Sequence, residues 1–199
     1  MTKIIFTFAL SSIVIIANAQ FSYAIKGGLN VANVHSNQSV NRNWKPSYHI
    51  GLSMDYSFTK KLYVSGDLLY SNKGFVGSST NISLSYISAP LVIGYAILSK
   101  LSAEAGVGLN YLVYSDESDL WGNKFDAGLQ AGFRYRLSPR IKLSLRYEHG
   151  LSNVLSKDAV IYFPNAQGSA DPQKIRDLGF KDQNRNFQLS VSYVFNNHK

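Results

Sequence analysis

The side chains in this 199-residue sequence equipped for proton transfer or metal binding include four histidines, His35, His49, His149 and His198. They are scattered, and neither HExxH nor GxSxG occurs to bring two of them, or one and a serine, into a single site. His149 is followed on its own face by Leu151 rather than by a serine, so an interfacial histidine is the better reading than a lipid-facing His–Ser hydrolase. The acidic stretch DESDLW, residues 116–121, lacks the glycine and terminal glutamate of a calcium-binding EF-hand loop and reads as a solvated loop. With no cysteine, thiolate metal sites, a cysteine nucleophile, disulfides and a lipid-anchored N-terminus are all excluded. An enzyme is therefore not expected, and neither is a cofactor or a resident metal.

The charged residues are more orderly. In KFDAGLQAGFRYRLSPRIKLSLRYEHGL, residues 124–151, one parity carries Phe125, Ala127, Leu129, Ala131, Phe133 and Tyr135, and the other Lys124, Asp126, Gln130, Arg134 and Arg136. After Ser138-Pro139-Arg140 the pattern resumes, with Ile141, Leu143, Leu145 and Tyr147 against Lys142, Ser144, Arg146 and Glu148. Side chains alternate across a strand, so this is a hairpin whose strands each have one apolar and one charged face.

The elements needed to hold such faces recur along the chain. Strands are expected at about Ser22–Val31, Ser47–Phe58, Leu62–Ser71, Ser83–Tyr95, Leu101–Tyr114, the hairpin just described, and Asn186–Phe195, eight in all. Before Tyr86 the parity of the fourth is ambiguous, and Pro90 within it predicts a bulge or a local widening. The links after the second, fourth and sixth strands are short and the others longer, the longest being about 153–185. The apolar faces carry no Lys, Arg, Asp or Glu, and His149 is their one ionisable exception. Aromatic residues cluster where two interfaces should lie: Phe58, Tyr95, Tyr135 and Phe195 at the short-turn end, and Tyr48, Tyr70, Tyr111, Phe125, Tyr147 and Phe187 at the other.

These features predict an all-β fold, an eight-stranded antiparallel up-and-down barrel that spans the outer membrane, with short periplasmic turns and longer extracellular loops. The alternative is a soluble lipocalin-like barrel with its apolar face turned inward around a ligand. Residues 1–19 read as a signal peptide, with Lys3, an apolar run to Ala17 and Ala17-Asn18-Ala19 before the cleavage point, leaving 20–199 as the barrel domain. Removing them leaves 19 basic and 12 acidic residues, net +7. For an exported basic protein, the expected counter-charges are outer-membrane lipid and lipopolysaccharide rather than nucleic acid.

In that orientation Lys26, Lys124, Arg134, Arg136, Lys142 and Arg146 face Asp55, Asp67, Glu104, Asp126 and Glu148 in the lumen. Buried charges persist only when paired. Two stacked networks are expected: Asp55 and Glu104 with Arg134, Arg136 and Lys142 near the periplasmic mouth, and Asp67 with Lys26 and Arg146 nearer the middle. Eight strands enclose only enough room for side chains, so a structural plug is expected in preference to a narrow channel. In the last loop, Asp171-Pro172 reads as the start of a short helix, and Ile161, Tyr162, Phe163 and Phe180 make that loop the candidate partner surface.

The segments AIKGGLNVANV (24–34), DLLYSNKG (67–74), SYISAPLVIGY (85–95) and YEHGLSNV (147–154) resemble, in order and spacing, the PorT-like or outer-membrane-protein beta-barrel family of Bacteroidota. The resemblance implies an eight-stranded barrel of OmpA/OmpX-like topology, no assigned activity for most members, and a link to protein secretion for the namesake. Other envelope or secretion proteins are thus implied as alternative partners. The chain departs from the family pattern at Ser88, where an acidic residue often precedes the proline of strand four, and in the extension Asn196–Lys199.

Overall fold

The computed structural model describes residues 20–36, 43–76, 81–116, 124–152 and 182–196. The expected signal peptide, most of the segment 116–121 and nearly all of the longest loop lie outside them. Eight strands form one closed antiparallel barrel in sequence order: β1 (Phe21–Ser36), β2 (Asn43–Ser57), β3 (Leu62–Val76), β4 (Asn81–Ala96), β5 (Leu101–Ser115), β6 (Phe125–Arg136), β7 (Ile141–Gly150) and β8 (Asp182–Val194). β8 closes on β1 through a ladder running from Ala24↔Val194 to Ser36↔Asp182. Closure leaves no unpaired edge, which is the condition for placing strands in lipid.

The faces decide between membrane and soluble barrel. Leu29, Ile50, Leu52, Leu68, Leu91, Ile93, Leu129, Phe133, Leu145, Leu189 and Val191 are all exposed on the outside, while Lys26, Asp55, Asp67, Glu104, Arg134, Arg146 and Glu148 are buried inside. A lipocalin-like barrel would have these faces reversed.

Three turns of one design close the periplasmic end. In each, two successive N–H groups donate to the first strand carbonyl beyond the turn: Phe58 and Thr59 to Leu62, Ile97 and Leu98 to Leu101, Leu137 and Ser138 to Ile141. Thr59 Oγ1 and Ser138 Oγ each accept two further backbone N–H groups, which explains the hydroxyl residue in the first and third turns; Leu98 holds the same place in the second.

At the external end the strands overrun their expected limits. β1 has 16 residues, roughly 50 Å at a rise of about 3.3 Å, whereas crossing a membrane takes about 9 to 11. Beyond the girdle the pattern inverts. On β1 the outward sequence Tyr23, Ile25, Leu29, Val31 gives way to Asn33 and His35, and the buried Lys26 and Asn30 to Ala32 and Val34. Val34, Phe75, Ile82, Leu84, Tyr86 and Leu112 pack into an apolar cluster inside this overhang. Full burial of such a side chain contributes about 1.5 to 3 kcal/mol, so the projecting cylinder has a core like that of a soluble barrel. The inversion also resolves β4: its even positions face inward throughout, from Ile82 to Gly94.

At Pro90 the second of the two expected outcomes is found: it pairs with Gly108 in unbroken register, while the β3–β4 ladder is interrupted between Gly66↔Leu91 and Leu69↔Ser88, a local widening without a bulge. The bulge lies between Ser85 and Tyr86. One expectation, the longer link after the third strand, is corrected. Because β3 and β4 run on, their connection shrinks to residues 77–80, no longer than the turn at 58–61.

Gly94 faces inward opposite Tyr63, and a Cβ there would run into the Tyr63 ring. Gly94→Val should therefore destabilise the folded barrel by about 1 to 3 kcal/mol, read as a lower urea midpoint in detergent micelles. Leu52→Arg, on the outward face midway between Tyr48 and Phe58, should cost about 2 to 4 kcal/mol in lipid; an unchanged midpoint in vesicles would contradict the lipid-facing assignment.

Candidate functional site

The side chains that could do chemistry lie inside the barrel, and register brings them together. Lys26, Asp67, Glu104 and Arg146 project inward from β1, β3, β5 and β7, so alternate strands contribute to one layer. Lys26 Nζ is 2.6 Å from Asp67 Oδ2, whose other cation is Arg146 through Nη1 at 2.7 Å. Arg146 Nε reaches Glu104 Oε2 at 2.7 Å, and Glu104 Oε1 takes Arg134 Nε at 2.7 Å. Arg134 Nη1 and Lys142 Nζ then share Asp55 Oδ2, both at 2.7 Å. The two expected networks are thus one chain, Lys26–Asp67–Arg146–Glu104–Arg134–Asp55–Lys142, and Glu104 is the joint.

This chain fills the lumen. Arg146 is 2% exposed and Lys26 1%, and the Arg134 guanidinium lies 4.9 Å from the centroid of the Tyr63 ring. Tyr63 donates its hydroxyl to Glu104 Oε1 at 2.9 Å, and Arg134 Nη2 donates to Ser65 Oγ. Charges removed from water are stable only with such geometry, each carboxylate holding two cations and each guanidinium two carboxylates.

A second polar layer lies closer to the external end and includes a residue that the alternation did not single out. Lys73 Nζ pairs with Glu148 Oε2 at 2.7 Å, and Asn110 bridges the pair, accepting from Lys73 and donating to Glu148 Oε1. Lys73 lies beyond the expected end of the third strand, where an overhang had no lipid-facing pattern to reveal it. Asp126 is fully buried, but its partner is Asn184 Nδ2 at 2.8 Å, and among the described residues it has no cation within ion-pair distance. Lys124 precedes β6 and is exposed, and Arg136, at the last position of β6, is exposed at the periplasmic rim. Both share a parity with the luminal set. Parity gives the face but not the depth, and these two sit at the strand ends.

His49 is buried between Asn30 Oδ1, 3.0 Å from Nδ1, and Ser190 Oγ, 2.9 Å from Nε2. The order serine, histidine, amide is that of a nucleophile, its base and an orienting group. Here all three are 2% exposed or less, so nothing can approach the hydroxyl, and the arrangement satisfies a buried imidazole. His149 is on the outward face, opposite Arg185 in the β7–β8 ladder, with Nδ1 3.4 Å from the Tyr147 hydroxyl.

The named aromatic residues all face outward: Phe58, Tyr95, Tyr135 and Phe195 next to the periplasmic turns, and Tyr48, Tyr70, Tyr111, Phe125, Tyr147 and Phe187 toward the other end. Tyr111 pairs directly with Phe125, and Tyr147 with Phe187, 4.9 Å between ring centroids. Trp44 extends this group, 5.6 Å from Phe187; it precedes the expected start of the second strand and was not legible as part of it.

A closed eight-stranded barrel with an apolar exterior, aromatic residues at both ends of it and a charge-filled lumen is an outer-membrane protein. The chain belongs to the outer membrane protein beta-barrel domain family, which it matches over residues 17–156. Among solved structures it is similar to Ail, the attachment invasion locus protein of Yersinia pestis, at 15% identity and a TM-score of 0.51, covering 88% of this chain and 99% of that one. Neisserial surface protein A is also similar, at 14% identity and a TM-score of 0.48, covering 87% and 97%. At such identities the likeness concerns the fold alone. No curated protein matches the chain.

Removing Arg146 while keeping its volume leaves Asp67 with only Lys26 and Glu104 with only Arg134. Arg146→Met should therefore cost about 3 to 5 kcal/mol of stability, measured by urea unfolding, with no rise in bilayer conductance. Large conductance at unchanged stability would mean that the chain is a gate, not a plug. Asp67→Asn, which strands Lys26 and leaves Arg146 with Glu104 alone, should be destabilising, whereas Asp126→Asn should be neutral or stabilising because no cation among the described residues is paired with Asp126.

Proposed function

We propose that this protein is a non-catalytic, non-conducting outer-membrane barrel that acts as a structural and interaction component, presenting its external loops at the cell surface. The observation that carries this reading is the continuous ion-pair chain from Lys26 to Lys142, which occupies the lumen with mutually paired charges and leaves them committed to one another. The overhang with its own apolar core supports the same reading, since it raises the loop bases clear of the membrane on a stable cylinder. Export by cleavage before Gln20 and contact with lipopolysaccharide belong to this proposal. N-terminal sequencing of the mature protein from membranes should begin at Gln20.

A second reading is a subunit of a secretion or envelope-assembly complex. The order and spacing of segments 24–34, 67–74, 85–95 and 147–154 favour it through their resemblance to the PorT-like group. Crosslinking followed by detergent extraction and pull-down from native membranes separates the two, using wild type and a deletion of residues 156–182. A self-contained surface protein should come out alone in both cases. Envelope proteins that co-purify with wild type and vanish with the deletion would establish the complex instead.

A further inference from the structure

The chain carries a surplus of positive charge, and its periplasmic end concentrates it. Each of the three short turns holds a cation, Lys60 and Lys61 in the first, Lys100 in the second and Arg140 in the third, and none holds an acidic residue. Within the mouth they encircle, a hollow of about 610 Å³ is lined by Lys100, Arg134, Arg136, Lys142 and Asp55, with serine hydroxyls such as Ser57 and Ser102 between them.

The cations of this hollow are not equivalent. Arg134 and Lys142 are held by Asp55 at its floor, both at 2.7 Å. Arg136 and Lys100 are exposed and, among the described residues, have no carboxylate within ion-pair distance. The ion-pair chain beneath contains four cations, Lys26, Arg134, Lys142 and Arg146, against three carboxylates, Asp55, Asp67 and Glu104. Adding Arg136 and Lys100 raises the surplus from one to three. Because that chain blocks the lumen, the hollow is blind: an anion entering it has nowhere further to go, and a guanidinium, two ammonium groups and hydroxyls converge on it. Guanidinium presents a planar fork that matches carboxylate and phosphate oxygens, and a concave low-dielectric wall strengthens the attraction.

We propose that this periplasmic hollow is a binding site for a multivalent oxyanion, a ligand bearing two or more carboxylate or phosphate charges, with Arg136 and Lys100 as its principal contacts and Lys142 behind them. The ligand is either free in the periplasm or the phosphate headgroup of an anionic phospholipid; the chemistry is shared. The hollow is floored by the buried luminal residues Asp55 and Arg134 and not by the lipid-facing side chains of the strands, which favours the soluble source. The site is independent of whether the external loops hold a partner.

The test uses the full mature barrel refolded in a neutral detergent at low ionic strength, titrated calorimetrically with pyrophosphate and with citrate, and separately in nanodiscs with and without phosphatidylglycerol. Wild type should bind at least one soluble anion, and Arg136→Gln with Lys100→Gln should weaken it by about tenfold or more, as expected for lost charge-assisted hydrogen bonds. Both positions lie outside the buried ion-pair chain, so heat-modifiable gel mobility should show the variant folded. Arg140→Gln, on a turn but outside the hollow, should bind like wild type. Stabilisation by phosphatidylglycerol alone, lost in the double variant, would assign the headgroup as the source. Absence of binding to every probe, unchanged binding by the double variant, or an equal loss in Arg140→Gln would overturn the site; the last would reveal only a diffuse surface field.

Discussion

The structure depends on a constraint of volume and solvation: a closed eight-stranded barrel has an interior just wide enough for side chains, and those side chains cannot be the ones that face lipid. Polar residues must go inside, where water is scarce, and a charge there must find an opposite charge within hydrogen-bonding distance. Glu104 shows how the barrel meets this. Its two oxygens take Arg134 and Arg146 separately, each at 2.7 Å, and so connect a pair that ends at Asp55 with a pair that ends at Asp67. The pairs alone would leave each guanidinium half satisfied. Joined, they form one structure that crosses the lumen from β1 to β7 and ties strands that are not neighbours in the barrel, which backbone ladders do not do.

The same constraint explains the distribution of charge. In the ion-pair chain the carboxylates Asp55, Asp67 and Glu104 stand where cations would otherwise be buried alone, and Arg136 and Lys100 remain at the periplasmic rim, where water and counter-ions reach them. Arg134 and Arg136 are two residues apart on one face of β6, yet the first is buried with two carboxylates and the second is exposed. A difference in depth of two residues along a strand, under about 7 Å, separates a structural ion pair from a free cation.

That difference also marks what could be read from the residue order. Alternation of period two identifies faces, and within the membrane the demand for an uncharged exterior is so strong that the strands, their number and the inward charges Lys26, Asp55, Asp67, Glu104, Arg134 and Arg146 were legible, while Lys124 and Arg136, of the same parity, are exposed at strand ends. Depth and register were not. Glu104 as the joint between two networks requires knowing how β5 sits against β3, β6 and β7, and no local pattern carries it. The longer strands were missed for a physical reason: past the girdle the lipid-facing rule lapses, so Asn33 and His35 turn outward, Phe75, Ile82 and Leu84 turn inward, and the pattern that defined the strand reverses. Lys73, Trp44 and the apolar cluster all lie in or beside this reversed zone.

The reversal also has a mechanical consequence for the external loops. A barrel that ended at its girdle would splay wherever a long loop pulled on it, because its outermost inward residues would be solvated and polar. Here Val34, Phe75, Ile82, Leu84, Tyr86 and Leu112 bring β1, β3, β4 and β5 together above the membrane, while Asn184, on β8, joins Tyr86 to Asp126 across the same level. The cylinder is therefore held by two different solvent regimes acting on one set of strands: ion pairs where lipid surrounds it and apolar packing where water does. The bases of the external loops rest on the second and are separated from the first, which is the arrangement that the proposed loop-presenting role requires.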